Sequence, residues 1–226
     1  MNGVKMILDG EEIVGSGSFE TSTLPTEQEI EQFILDAGSD NLTVFGGSHV
    51  GGIFCQQNSD ELASLIYTIL ETGEPIKTYL ELGAAAGGSV YLMNHFFAPD
   101  KLVLVDDGLH PRAWMRKTIL QGLSYTTING LSFAEEVIET AAKFAPYDFI
   151  FVDADHTYLS VRADVTLYLP LLRPGGFMAL HDSIYFGGDV GRVVREMRTD
   201  PQVEFIAEFV SKKYEPLGTA LFRKVA

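Results

Sequence analysis

From Asn58 onward, the spacing of apolar residues changes at regular intervals along the chain. Leu62, Leu65, Ile66, Ile69 and Leu70 recur three and four apart, the spacing of one helix face, and Asn58 and Glu61 stand at its start as a capping pair. Short unbroken apolar runs then alternate with further helical spacings. The runs are residues 78–82, 102–105, 125–128, 148–152 and 176–181, and the helical stretches are 89–97, 113–122, 133–144, 158–169 and 190–198. Apolar runs that do not alternate with polar residues predict strands covered on both faces, as in a parallel sheet. Right-handed crossovers between them predict an α/β fold, a Rossmann-like three-layer αβα sandwich. Residues 203–209 and 219–222 are separated by SKKYEPLG, which leaves no room for a helix and predicts an antiparallel end to the sheet.

Upstream of this pattern the chain reads differently. Residues 1–57 are acidic, with Glu11, Glu12, Glu20, Glu27, Glu29, Glu31, Asp36 and Asp40. One short helix is predicted over 26–37, where Ile30, Phe33 and Ile34 share a face and Thr26 caps with Glu29. The glycine-rich stretch FGGSHVGGIFCQQ follows. We read 1–57 as an extension serving as a lid or as an arm for a homo-oligomer, and 58–226 as the single folded domain.

Composition and charge narrow the function. At 226 residues and 46% hydrophobic, the chain has material for one core. A formal net charge of −15 argues against nucleic-acid and anionic-membrane partners, because phosphate contacts need clustered Lys and Arg. The densest basic patch, Arg112, Arg116 and Lys117, reads as a solvated helix face. No apolar run reaches membrane-spanning length, MNGVKMILDGEE lacks the order of a secretory signal, and the single Cys55 excludes an internal disulfide. The expected compartment is cytoplasmic.

In an open parallel sheet, ligands bind at the carboxyl ends of the strands. The first run ends in Glu81-Leu82-Gly83-Ala84-Ala85-Ala86-Gly87-Gly88-Ser89 and the second in Asp106-Asp107-Gly108. The third is followed by Asn129-Gly130-Leu131-Ser132, the fourth ends in Asp153-Ala154-Asp155-His156, and the fifth in His181-Asp182-Ser183. The first loop lacks the lysine of a phosphate-binding loop and the G-x-G-x-x-G spacing of a dinucleotide site. Its glycines suggest a ligand lying against bare backbone, so that a side chain at Gly83 should evict the ligand and spare the fold. Glu81 beside a helix start suits a ligand carrying an amino group. Asp106, or Asp107 one residue on, can take both hydroxyls of a ribose.

The order E-L-G-A-A-A-G-G-S, acidic second strand end, F-V-D-A-D-H-T-Y…D…L-L-R-P-G-G-F…L-H-D-S resembles the class I S-adenosylmethionine-dependent methyltransferases. Within them it is most similar to small-molecule O-methyltransferases related to the macrolide-sugar enzymes and to cephalosporin hydroxylase-like proteins. The resemblance covers about residues 56–197 and implies a seven-stranded, mostly parallel sheet with an antiparallel last strand. It implies S-adenosyl-L-methionine as cofactor and a small-molecule acceptor, most simply a hydroxyl. Glu81, Gly83 and Ala85 would line the methionine end, within a loop completed by Ala84, Gly87 and Ser89. Asp106 would hold the ribose, Gly130 and Ser132 would lie against the adenine, and Asp153 would face the sulfonium.

The metal-dependent members hold Mg2+ with an acid after the fourth strand and an acidic pair after the fifth. Asp153 and Asp182 match, while His181 stands where one of that pair would be, a departure from the all-oxygen set magnesium prefers. The catalytic candidates are therefore Asp153, His156, His181 and Asp182, with either histidine as general base in the absence of a metal. Gln56, Tyr185 and Phe186 are the candidate acceptor contacts. The rival readings are a nicotinamide-dependent oxidoreductase, a hydroxylase-like or otherwise repurposed member, and a non-catalytic cofactor-binding member.

Overall fold

A computed structural model describes residues 5–8, 11–14, 24–38, 52–185 and 188–225. Near the N-terminus, β1 (Lys5–Leu8) and β2 (Glu11–Val14) form a separate antiparallel hairpin. Helix α1 (Glu27–Asp36) starts at Thr26 with the expected reciprocal cap: Glu29 N–H donates to the Thr26 hydroxyl, and Thr26 N–H donates to the Glu29 carboxylate at 2.8 Å. Its apolar face packs Ile30 and Ile34 into the same core as Leu62, Leu65 and Ile66 of α2 (Ser59–Glu71).

The main sheet has seven strands: β3 (Thr78–Leu82), β4 (Lys101–Asp106), β5 (Thr126–Asn129), β6 (Tyr147–Val152), β7 (Leu172–His181), β8 (Val203–Phe209) and β9 (Thr219–Lys224). Their order across the sheet is β5-β4-β3-β6-β7-β9-β8. The first five pair in parallel, and β9 lies antiparallel to both β7 and β8. This is the expected Rossmann-like seven-stranded sheet with its last strand reversed. Strand order reverses between β3 and β6, where the chain turns from building one side of the sheet to building the other.

Side chains alternate across the sheet, so each strand feeds two cores. Tyr79, Leu104, Phe149 and Phe177 face the layer built from α2 and α3 (Gly88–Phe97). Leu80, Val103, Ile150 and Met178 face the layer of α5 (Glu135–Ala142), α6 (Tyr158–Tyr168) and α7 (Asp189–Met197). Double coverage explains why the strands read as unbroken apolar runs.

Two local expectations need correction. The helix expected over 113–122 is a 3-10 turn at Ala113–Met115 followed by the short α4 (Arg116–Ile119). The face is inverted as well: Trp114 is 75% exposed, while Arg116 is 8% exposed. The Asn58–Glu61 pair does not cap α2. The Asn58 amide donates to the Glu215 carbonyl at 2.9 Å, and Glu61 accepts from the backbone N–H groups of Ser211, Leu217 and Gly218 at 2.7–3.2 Å. Three backbone donors give the buried Glu61 carboxylate more than a cap would, so the pair anchors the β8–β9 loop over the start of α2.

Candidate functional site

The glycine-rich turn between β3 and α3 is shaped by protein backbone on two sides. Gly83 has φ +87°, and a Cβ there would lie 2.1 Å from the Asp153 carbonyl oxygen and 2.6 Å from Ala154 Cα. A Cβ on Gly88 would meet the carbonyl oxygens of Ile53 and Phe54 at 2.6 and 2.7 Å. The first glycine lets the ends of β3 and β6 touch, and the other seats α3 against the segment before α2. The expectation that a side chain at Gly83 would spare the fold is therefore wrong, because it would strike main chain that cannot give way. Ala85 holds φ +41°, a sparsely populated region for a residue with a side chain, so the turn carries strain where the site is built.

Glu81 projects into the α2–α3 layer and is wholly buried. Its carboxyl accepts hydrogen bonds from the hydroxyls of Tyr79 and Ser89. Burial outweighs those bonds and pushes its pKa up to about 8. At neutral pH it is mostly a neutral acid, unlike the carboxylate beside an amino group that the sequence suggests, and Ser89 is tied to it.

At the end of β4, Asp106 is 7% exposed. One carboxylate oxygen accepts from Ala85 N–H at 2.8 Å; the other accepts from Gly108 N–H at 2.8 Å and pairs with Arg116 Nη2 at 2.6 Å. Asp107 is exposed and accepts from Leu109 N–H, closing its own turn. The sequence leaves Asp106 and Asp107 as alternatives, and only Asp106 faces the glycine turn. After β5, a Cβ on Gly130 would meet Val137 at 2.8 Å, and the carbonyl of the buried Ser132 accepts from the Tyr168 hydroxyl at 2.8 Å.

The ends of β6 and β7 bring Asp153, His156, His181 and Asp182 together. His181 Nδ1 lies 3.1 Å from one oxygen of Asp153 and 3.1 Å from one of Asp182. His156 Nε2 lies 2.8 Å from the same Asp182 oxygen and 3.7 Å from Asp153. Asp182 sits at φ +58°, which turns its side chain back onto the cluster. The second oxygen of Asp153 accepts from the Gln57 amide at 2.6 Å, and Cys55 Sγ donates to the Gln57 carbonyl oxygen.

Burial alone would strip the charge from these groups, but their mutual attraction overrides it. Flanked by two carboxylates, His181 is held well above the usual histidine range despite full burial, and His156 is raised to about 9 against burial by Asp153 and Asp182. Both acids are held below the usual carboxylate range, with the histidines opposing burial. As arranged, the flanking carboxylates favour the protonated imidazoles, which works against either acting as a general base.

One donor atom each from Asp153, His181 and Asp182 falls within 4.8 Å of the others, close enough for a shared cation. Two carboxylates and an imidazole fit a divalent ion. The nitrogen favours a borderline transition ion such as Mn2+, Fe2+ or Zn2+ over Mg2+.

Of the acceptor candidates, Gln56 is half-buried while its neighbour Gln57 makes the bond to Asp153. Tyr185 is half-buried, with its N–H on the Leu217 carbonyl at 3.2 Å. Phe186 lies outside the described residues, as do residues 39–51 of the glycine-rich stretch before α2. Two site residues escaped sequence reasoning. Gln57 was hidden because a pair of adjacent glutamines does not show which faces inward, and Arg116 because a helical pattern placed it on a solvated face.

Residues 80–183 match a protein-family model described as a methyltransferase domain. No curated protein matches the sequence. Among solved structures, a putative O-methyltransferase from Klebsiella pneumoniae superposes with TM-score 0.61 at 17% identity, over 92% of this chain and 93% of that one. An O-methyltransferase from Bacillus cereus, solved in complex with SAH, gives 0.61 at 17% identity over 90% and 93%. MycE, a methyltransferase from the mycinamycin biosynthetic pathway solved with Mg, SAH and mycinamycin VI, gives 0.51 at 17% identity over 73% and 54%. Residues 80–183 thus resemble a methyltransferase domain, and the chain shares the fold of these solved structures. Among the described residues, no helix is long and apolar enough to cross a membrane.

Proposed function

We propose that the protein transfers the methyl group of S-adenosylmethionine to a hydroxyl of a small-molecule acceptor. The observation that carries this reading is the placement of two unlike sites on either side of the point where strand order reverses, in contact through Gly83 and Asp153. On one side lie a glycine turn, a helix start and Asp106, suited to an amino acid joined to a ribose. On the other lies the buried acid–imidazole cluster, suited to a cationic sulfonium and a polar acceptor. The O-methyltransferase neighbours, one holding SAH, support the reading.

In such a transfer the acceptor oxygen attacks the methyl carbon, the carbon–sulfur bond breaks in line, and neutral S-adenosylhomocysteine leaves. The hydroxyl proton passes to solvent. No covalent protein intermediate is needed, and holding the two reactants aligned can supply about 7–11 kcal/mol. Asp153 is the pivot: Gln57 fixes one of its oxygens, and His181 and His156 approach the other. Asp153, Asp182 and His181 would hold a divalent cation. When bound, such an ion lowers the pKa of a coordinated hydroxyl and orients it. An oxidoreductase using a nicotinamide cofactor is disfavoured by the absence of the G-x-G-x-x-G spacing in the turn.

Calorimetric titration with S-adenosylhomocysteine, with NAD as control, tests the cofactor. Transfer of a labelled methyl group across a panel of small hydroxyl compounds, with EDTA, Mg2+ or Mn2+, tests the chemistry. Binding of the homocysteine nucleoside alone, with transfer stimulated more by Mn2+ than by Mg2+, is expected. Preference for NAD would overturn the proposal. Cofactor binding without transfer to any acceptor would favour the non-catalytic reading.

A further inference from the structure

Arg112 is a half-buried cation without an acid. Its guanidinium carbon lies 3.6 Å above the centre of the Phe54 ring, and its Nη1 is buried with no hydrogen-bond partner. Among the described residues no carboxylate pairs with it, although the chain carries 31 acidic against 16 basic residues. Other arginines find acids: Arg116 pairs with Asp106, Arg173 with Glu74 and Arg198 with Glu208. Arg195 also lacks one among the described residues, but it is exposed and water can serve it. A desolvated cation left without an anion is costly, so the arrangement calls for an anion from outside the chain.

The surroundings show where that anion would lie. Phe54 holds φ +54°, a region that residues with a side chain rarely occupy, and a Cβ on Gly88 would meet its carbonyl oxygen at 2.7 Å. Its backbone is thus pinned beside the start of α3. Gln57, which bonds Asp153, is three residues further on, no more than about 11 Å of chain. On the other flank, the Arg112 N–H donates to His110 Nδ1 at 3.2 Å. Burial holds His110 below the usual histidine range, opposed by the charge of Asp106 and, more weakly, of Asp153. Arg112 therefore stands beside the junction of the two sides of the site. The cofactor's own carboxylate has other donors, because α3 starts after Gly87 with neither a side-chain cap bond nor an acid in its first turn. We propose that Arg112 binds a carboxylate of the acceptor, which is then a small hydroxy acid with its hydroxyl at the Asp153 cluster and its acid at the far end. This rests on the proposed methyl transfer. A flat guanidinium stacked on an aromatic ring presents a planar fork that matches a carboxylate. A phosphate ester, with more charge, would meet the repulsion of a chain of net charge −15.

The test is calorimetric titration of the wild type and Arg112→Met, with and without S-adenosylhomocysteine. The probes are para-hydroxybenzoate, para-hydroxycinnamate and omega-hydroxyhexanoate, each paired with its carboxamide. In the wild type at least one acid should bind about tenfold or more tightly than its amide, as expected for a charged hydrogen bond. In Arg112→Met that gap should close to within about threefold. No preference for any acid in the wild type would overturn the proposal, as would a preference that survives in the variant. S-adenosylhomocysteine should bind both proteins within about threefold. A tenfold loss in the variant, with methylthioadenosine (which lacks the amino-acid end) unaffected, would assign Arg112 to the cofactor and overturn the proposal. Thermal unfolding without ligand separates binding from bracing. Methionine keeps an apolar contact with the Phe54 ring and removes an uncompensated charge, so the variant should melt no lower than the wild type. A fall of several degrees would make Arg112 a brace for Phe54 and overturn the proposal. If the wild type fails to bind S-adenosylhomocysteine, the proposed cofactor is wrong, and the acid–amide comparison without it still decides the role of Arg112.

Discussion

The two sides of the reversal point hold their carboxylates by different means. Around β3 and β4, Asp106 is paired with Arg116, and guanidinium groups as a class are fixed cations. Around β6 and β7, Asp153 and Asp182 are paired with His181 and His156, whose charges depend on their partners. The nucleoside side is thus electrostatically fixed, and the acceptor side is adjustable. An invariant cofactor can be met by an invariant charge. A site that must hold a proton, a cation or a sulfonium in turn needs groups that can change state. The sides also differ in their scaffolding: the first is braced by backbone contacts of the glycine turn, the second by Gln57 and Cys55 from a segment upstream of α2.

The largest effect should come from breaking the point where the two sides touch. Gly83→Ala places a Cβ 2.1 Å from the Asp153 carbonyl oxygen at φ +87°, and neither backbone can retreat without pulling β3 from β6. The expected loss is at least about 4 kcal/mol in urea unfolding, in the range reserved for severe core and backbone defects. A loss under about 1 kcal/mol would show that the two halves are not rigidly joined.

Next in size is the acceptor side alone. His181→Leu leaves Asp153 and Asp182 facing each other in a buried site, and losing one partner of such a cluster costs about 3–5 kcal/mol. Affinity for S-adenosylhomocysteine should stay within about threefold of the wild type, because Asp106 and the glycine turn are untouched, while methyl transfer falls at least about a hundredfold. A parallel collapse of cofactor affinity would show that the two sides are one electrostatic unit.

Much of this arrangement is legible in the sequence. The strand ends, the reversed last strand and the gathering of Asp153, His156, His181 and Asp182 follow from apolar runs that stop at small or acidic residues. What escaped was set by tertiary contacts with no local signature. Arg116 reads as solvated because its spacing is that of an exposed helix face, yet the helix stops after one turn and the side chain turns inward. Asn58 and Glu61 have the spacing of a cap, but the β8–β9 loop, 150 residues or more away in the chain, offers better donors. The glycine turn is visible as a pattern, while its purpose is not: bare backbone serves Asp153, Ala154 and Ile53 as well as any ligand.

The smallest effect tests whether the nucleoside side is as insensitive to pH as its arginine implies. Asp164 on α6 is fully buried beside Ser132, and neither carboxyl oxygen makes a well-formed hydrogen bond. Burial pushes its pKa up to about 7, with the Ser132 hydroxyl only partly opposing it. The folded value lies above the unfolded value of 3.8, so below about pH 4 the group is neutral in both states and imposes no penalty. Between pH 4 and 7 the unfolded chain ionises and the folded one does not, so stability falls as pH rises and levels off above about 7. Asp164→Asn removes that ionisation, so it should gain stability over the wild type at pH 8 and none at pH 4. Thermal unfolding at the two pH values reads the difference. A gain of equal size at both would mean that packing and not charge limits this position, and that the side of the sheet under Ser132 carries no hidden titration.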